Sequence, residues 1–146
     1  MSQQEDERYM RLALEEAQLA YESGEIPIGA VVVCDGRVIA RAHNEVERLS
    51  DPTAHAEVLA VTAATQYMGS KFLGDCRLYV TIEPCTMCAG ALHWARLGEV
   101  IYGASEEKFG YQRYAPEIFP RATKVRGGVL AKEARALMQS FFRARR

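Results

Sequence analysis

The stretch "RLYVTIEPCTMCAGALHWARLGEVIYGA", residues 77–104, decides the fold. It opens on a short apolar run, 77–82, that reads as a buried strand. Pro84 suits the first turn of a helix, where its missing N–H would have no partner anyway. Residues 85–96 read as that helix, and "EVIYGA", 99–104, as a second strand. Two strands joined through a helix run parallel, because the helix carries the chain back to the starting edge.

Working outward, "EDERYMRLALEEAQLAYE" (5–22) repeats apolar residues at Tyr9, Leu12, Ala13, Ala17 and Ala20, which is helix spacing. "SGEIP" ends that helix. "IGAVVVC" and "RVIARAHN" flank Asp35-Gly36, the strongest short hairpin signal. Pro52 suits another helix start, with Asp51 or Thr53 as cap and the helix running over about 54–67. Residues 105–128 read as irregular, with "RYAPEIFP" as a loop, and 130–145 as a closing amphipathic helix. The order predicts an α/β fold, a mixed sheet between helices, in one domain over residues 1–146.

Composition agrees with a globular chain: 146 residues, 49% hydrophobic and 25% charged. The N-terminal residues carry charges throughout and do not read as a signal peptide. No run approaches the roughly 18 apolar residues of a membrane span, so a cytoplasmic location is expected. Net charge is −1, but it is unevenly spread. Residues 1–25 carry net −5 and residues 121–146 net +7. A basic end can meet phosphates; a solvated helix end is the plainer account.

Four cysteines without a secretory signal favour metal or redox use over disulfides. Cys85 and Cys88 open one helix; His55, in "TAHAE", opens the preceding one. A C-x-x-C step on a first turn puts both sulfurs on one side, where the helix end favours thiolates. One His and two Cys fill three of the four positions of a zinc ion, and a catalytic site leaves the fourth to water. Cys76 is some 20 Å from Cys85 across the intervening strand. His93, about 7.5 Å along the helix from Cys88, is rotated off the face. Cys34 and His43 stay open as a fourth ligand, though both read as strand residues. Glu57 shares a turn with His55 and can serve as general base without ligating. A haem-attachment reading fails because Ala89 follows Cys88, and the context for a thioredoxin-like pair is incomplete.

H-x-E with P-C-x-x-C at this separation is the known zinc deaminase signature. The sequence resembles the cytidine and nucleoside deaminase superfamily, most closely the bacterial tRNA-specific adenosine deaminases. The matching stretches are "GEIPIGAVVV", "DPTAHAEVLA", "LYVTIEPCTMCAGAL", "VIYGA" and "GGVLAKEARALMQSFFRARR". The resemblance implies a three-layer sandwich with a five-stranded mixed sheet. It implies one zinc per subunit on His55, Cys85 and Cys88, with Glu57 as proton shuttle. It implies a homodimer that converts the wobble adenosine of a tRNA anticodon stem-loop to inosine. On the family pattern Asn44 bonds the flipped base, Ile26, Pro27 and Ile82 wall the pocket, and the backbone near Ala30 touches substrate. Glu106 stands where Asp is usual, and "FPRAT" where a His-Pro pair is common.

In "SFFRARR", either Phe141 or Phe142 stacks on a base while the other anchors the helix, and Arg143, Arg145 and Arg146 meet phosphates. Two other readings compete. A deaminase of a free base such as guanine shares "DPTAHAEV". A silent zinc module that only binds RNA requires four protein ligands and gives Glu57 no task.

Overall fold

The computed structural model describes residues 2–145. In chain order it contains α1 (Gln3–Glu22), β1 (Gly29–Cys34), β2 (Arg37–His43), α2 (Val46–Leu49), α3 (Ala56–Met68), β3 (Cys76–Ile82), α4 (Thr86–Trp94), β4 (Glu99–Ala104), α5 (Tyr111–Tyr114), β5 (Lys124–Arg126) and α6 (Ala131–Ala144). The sheet has five strands in the order β2-β1-β3-β4-β5. β1 is antiparallel to both β2 and β3, whereas β3–β4 and β4–β5 are parallel. The expected α/β sandwich on a five-stranded mixed sheet is therefore present.

The period of two along each strand explains the layers. Ala30, Val32, Leu78, Val80 and Val100 pack with Ala56, Ala60, Ala64, Ala89 and Leu92, joining the sheet to α3 and α4. Val31, Val33, Tyr79 and Ile101 pack with Tyr9, Met10 and Ala13 of α1 on the opposite face. Ala134 of α6 meets Ile82 and Ala104 near the carboxyl ends of β3 and β4. Every residue of β1 is buried, as an interior strand covered on both faces requires. At Gly29 an added Cβ would collide with the backbone of Ala13 and Ala17, so glycine lets α1 lie directly on β1. The Asp35-Gly36 turn has φ of 52° and 73°, as a two-residue hairpin demands.

Three local expectations need correction. Residues 105–128 are not wholly irregular, because α5 and β5 lie within them. α3 begins at Ala56, after an extended His55, and neither Asp51 nor Thr53 caps it. Asp51 instead accepts from the backbone and hydroxyl of Thr53 at 2.8 and 2.7 Å, shaping a turn. The cap comes from β2's end: Asn44 Oδ1 accepts the Ala56 N–H at 2.8 Å. The third correction is α2, a four-residue helix that carries too little pattern to register in the sequence.

β5 is held by charge. Asp6, only 4% exposed, accepts from Tyr79 at 2.8 Å and from Arg126 at 2.8 and 3.2 Å. Arg126 also donates to Glu99 at 2.7 Å. Burial alone would raise the Asp6 pKa, but the bonds and charge of Arg126, with help from Tyr79 and Arg77, hold it below the ordinary 3.8. A depressed carboxylate adds stability that is present above its ordinary pKa and lost as pH falls through the folded one. Asp6→Asn is therefore expected to cost about 1–2 kcal/mol at neutral pH, since the half-exposed Arg126 keeps Glu99. Denaturant melts should show the deficit narrowing below pH 3.8.

Candidate metal centre and active-site cavity

His55 and Cys85 each occupy the residue just before a helix, with extended backbone (φ −80°, ψ 151° and φ −71°, ψ 172°). Their side chains therefore project from two neighbouring helix starts rather than lying along the helices. Cys88 sits in the first turn of α4, and its N–H donates to the Cys85 sulfur at 3.5 Å. His55 Nδ1 lies 3.7 Å from Cys85 Sγ and 3.5 Å from Cys88 Sγ. All three donor atoms fall within 4.8 Å of one another. No fourth His, Cys, Asp or Glu joins them among the described residues. The two positions left open are elsewhere: His43 Nδ1 is 2.9 Å from Glu16, and Cys34 pairs in register with Cys76 on β3. His93 Nδ1 lies 2.6 Å from the Ile118 carbonyl.

The electrostatics suit a soft cation. The Cys85 pKa is pushed down to about 4, chiefly by hydrogen bonding from Cys88 and despite burial, with His55 assisting. Cys88 moves the opposite way, because it shares its proton with Cys85 and is buried. The hydrogen bond to Cys85 also raises His55. Two cysteine sulfurs and an imidazole nitrogen in contact form a sulfur–nitrogen donor set of the kind zinc takes.

Glu57 follows on the first turn of α3, 3% exposed. Its Oε1 is buried without any hydrogen-bond partner, and burial pushes its pKa up to about 7. A buried carboxylate oxygen without a partner costs free energy, which is understandable where a reaction requires it.

A cavity of about 1040 Å³ opens over these groups, with His55, Glu57 and Cys85 in its wall. Asn44, Ile26 and Ile82 line it too. Pro27 does not; it is buried, and Ile28 takes its place in the lining. Ala30 is fully buried and also absent from the wall. The Asn44 amide oxygen is engaged by the Ala56 N–H, which leaves its Nδ2 as a donor for a ligand. Phe141 is buried, edge-to-face with Tyr21 at 5.6 Å, whereas Phe142 is 47% exposed. Both line the cavity, as does Arg145, whose guanidinium sits 3.9 Å over the Phe141 ring. Arg143 is exposed, and Arg146 lies outside the described residues.

Sequence reasoning missed two buried glutamates. Glu25 accepts the N–H groups of Glu47 and Arg48 at 3.0 and 2.9 Å, capping α2. Glu83 accepts those of Glu106 and Gln112, both at 3.1 Å. Only the position of Glu83, two residues before Cys85, offered any signal.

A sheet backed by α1 and α6, with sulfur and imidazole donors at two helix starts on its other side, defines a nucleoside deaminase-like protein. The MafB19-like deaminase family model matches residues 4–146. A Streptococcus pyogenes (serotype M18) tRNA-specific adenosine deaminase is 43% identical over 97% of this chain and 92% of its own length. A structure from work on A-to-I editing by tRNA:A34 deaminases at the wobble position of transfer RNA superposes with a TM-score of 0.83. It is 41% identical, covering 89% of this chain and 98% of the other. The guanine deaminase of Bacillus subtilis is also 41% identical, over 77% of this chain and 75% of its own, with a TM-score of 0.67. The chain belongs to the deaminase family and, within it, to the tRNA-specific adenosine deaminases.

Proposed function

We propose that this chain is a zinc-dependent hydrolase, one deaminase domain over residues 1–146, that converts adenosine to inosine at the wobble position of a tRNA anticodon loop. The observation that carries this reading is the buried Glu57 carboxylate, its Oε1 without a partner, in the same wall as a three-donor metal site. A closed structural site would use a fourth protein ligand, and a silent RNA-binding module would have no reason to bury an acid beside the metal donors. Relatives of both substrate classes exist, but at near-full coverage of the chain the identity to the tRNA-acting proteins is higher, 43% over 97% against 25% over 92% for a guanine deaminase.

His55, Cys85 and Cys88 are assigned as the ligands, with one zinc per subunit. Bound there, zinc supplies acidified water, lowering its pKa from 15.7 toward about 7. Glu57, uncharged or ionised at little cost near neutrality, takes a proton from the attacking water and gives one to the adenine ring nitrogen. It then moves the second proton of that water to the departing amine, so adenosine and water become inosine and ammonia. Asn44 Nδ2 is assigned to hold the base in register, and Ile26, Ile28 and Ile82, which share the cavity wall, to exclude water from its faces.

Phe142 offers an exposed ring for stacking, and Phe141 anchors the last helix beneath Arg145. Arg143 and Arg145 are assigned to phosphate contacts, and Arg146 extends that role by sequence alone. A homodimer and a cytoplasmic location complete the reading; among the described residues no helix is long and apolar enough to cross a membrane.

The deciding test incubates the zinc-loaded protein separately with an anticodon stem-loop, guanine and cytidine. Ammonia release from the stem-loop, with its adenosine subsequently read as guanosine, is the expected outcome. Release from guanine alone would overturn the reading in favour of a free-base enzyme.

A further inference from the structure

Glu83 directly follows β3, donating its own N–H to the Ala104 carbonyl at 2.8 Å. Its side chain is 5% exposed. Oε1 accepts from the Glu106 N–H and Oε2 from the Gln112 N–H, each at 3.1 Å. Two further ties join the same stretches: Tyr111 N–H donates to the Pro84 carbonyl at 2.9 Å, and Cys85 bridges to Gly110. An added Cβ at Gly110 would strike the Glu83 carboxylate, so the loop closes onto it without room to spare. Glu106, in turn, accepts the Lys108 N–H at 2.8 Å, shaping the loop from within. Glu106, Lys108 and Phe109 line the cavity, and Phe109 is 65% exposed.

We propose that Glu83 is a positioning residue: it pins residues 105–112 to the turn that carries Cys85 and so fixes one wall of the substrate cavity beside the metal site. The inference rests on the deaminase reading above. A carboxylate is required because both of its partners are donors. Glutamine, of nearly the same shape, turns a donor toward one of those N–H groups and breaks that bond. Glu83 borders the cavity but is not among the three clustered metal donors, and both of its carboxylate oxygens are taken up by the loop. Loosening it releases the wall that grips the rest of the RNA and leaves the proton shuttle in place.

The test compares zinc-loaded wild-type protein with Glu83→Gln and, as an independent disturbance of the same contact, Gly110→Ala. Hydrogen exchange should speed up at least about tenfold in residues 105–112 and stay unchanged in β1 and β3. Zinc content per chain should hold, while KM for the stem-loop rises roughly tenfold and kcat stays within about threefold. Retained protection of 105–112 in both variants overturns the proposal, as does a fall in kcat at constant KM. If the wild-type protein fails to turn over the stem-loop, the deaminase reading falls, and hydrogen exchange alone still decides whether Glu83 is the pin.

Discussion

Glu57→Ala is expected to lower turnover of an anticodon stem-loop by about 10⁴-fold while zinc stays bound. The upper end of the range for acid–base catalysis is appropriate because one carboxylate handles every proton transfer in the proposed reaction. The side chain is not among the three clustered donors, so its removal leaves the ligand set intact. It also deletes a buried oxygen with no partner, so the fold should suffer little. Single-turnover rates beside elemental analysis separate the two effects. A variant that keeps activity within tenfold of wild type would remove Glu57 from the mechanism.

Cys88→Ser should fail in the opposite order, losing the metal first and activity as a result. The Cys88 side chain is fully buried and within 3.5 Å of His55 Nδ1. Serine keeps the shape but substitutes a hard, protonated oxygen for a soft sulfur, and zinc affinity should fall by more than ~100-fold. Competition with a chromogenic chelator measures that loss directly. The variant should also lose the increase in melting temperature that zinc gives wild type, since binding to the folded state is itself stabilising. Wild-type affinity in this variant would show that the ion is held elsewhere.

Local chemistry was readable from the residues, and long-range chemistry was not. The strand–helix–strand core and the two halves of the ligand set could be placed because each piece rests on short spacings: Pro84 before Cys85, Cys88 three further on, and Glu57 two after His55, while the deaminase signature joined His55 to Cys85 across 30 positions. The Asp35-Gly36 hairpin was legible for the same reason. β5 was not, because "KVR" has too few residues for a pattern, and its anchor, Arg126 on Asp6, spans 120 positions. The start of α3 was misplaced by nearby Asp51 and Thr53, when the cap that serves it reaches over from Asn44. The cavity followed suit. Its apolar wall was mostly anticipated, with Ile28 in place of Pro27. Its backbone pins, Glu25 and Glu83, act on residues more than twenty positions away. Which phenylalanine faces out depended on Tyr21, a ring from the other end of the chain.

The cysteines divide into two populations with different reactivity. Cys34 and Cys76 face each other across β1 and β3, both buried, and burial together with the Cys34 neighbour pushes the Cys76 thiol up to about 12. Such thiols resist alkylation, whereas a partly exposed sulfur held ionised, as Cys85 is, reacts readily unless a cation covers it. The uptake of a small electrophile thus counts vacant centres in a purified sample, and the protein carries its own gauge of how completely it has been charged with metal.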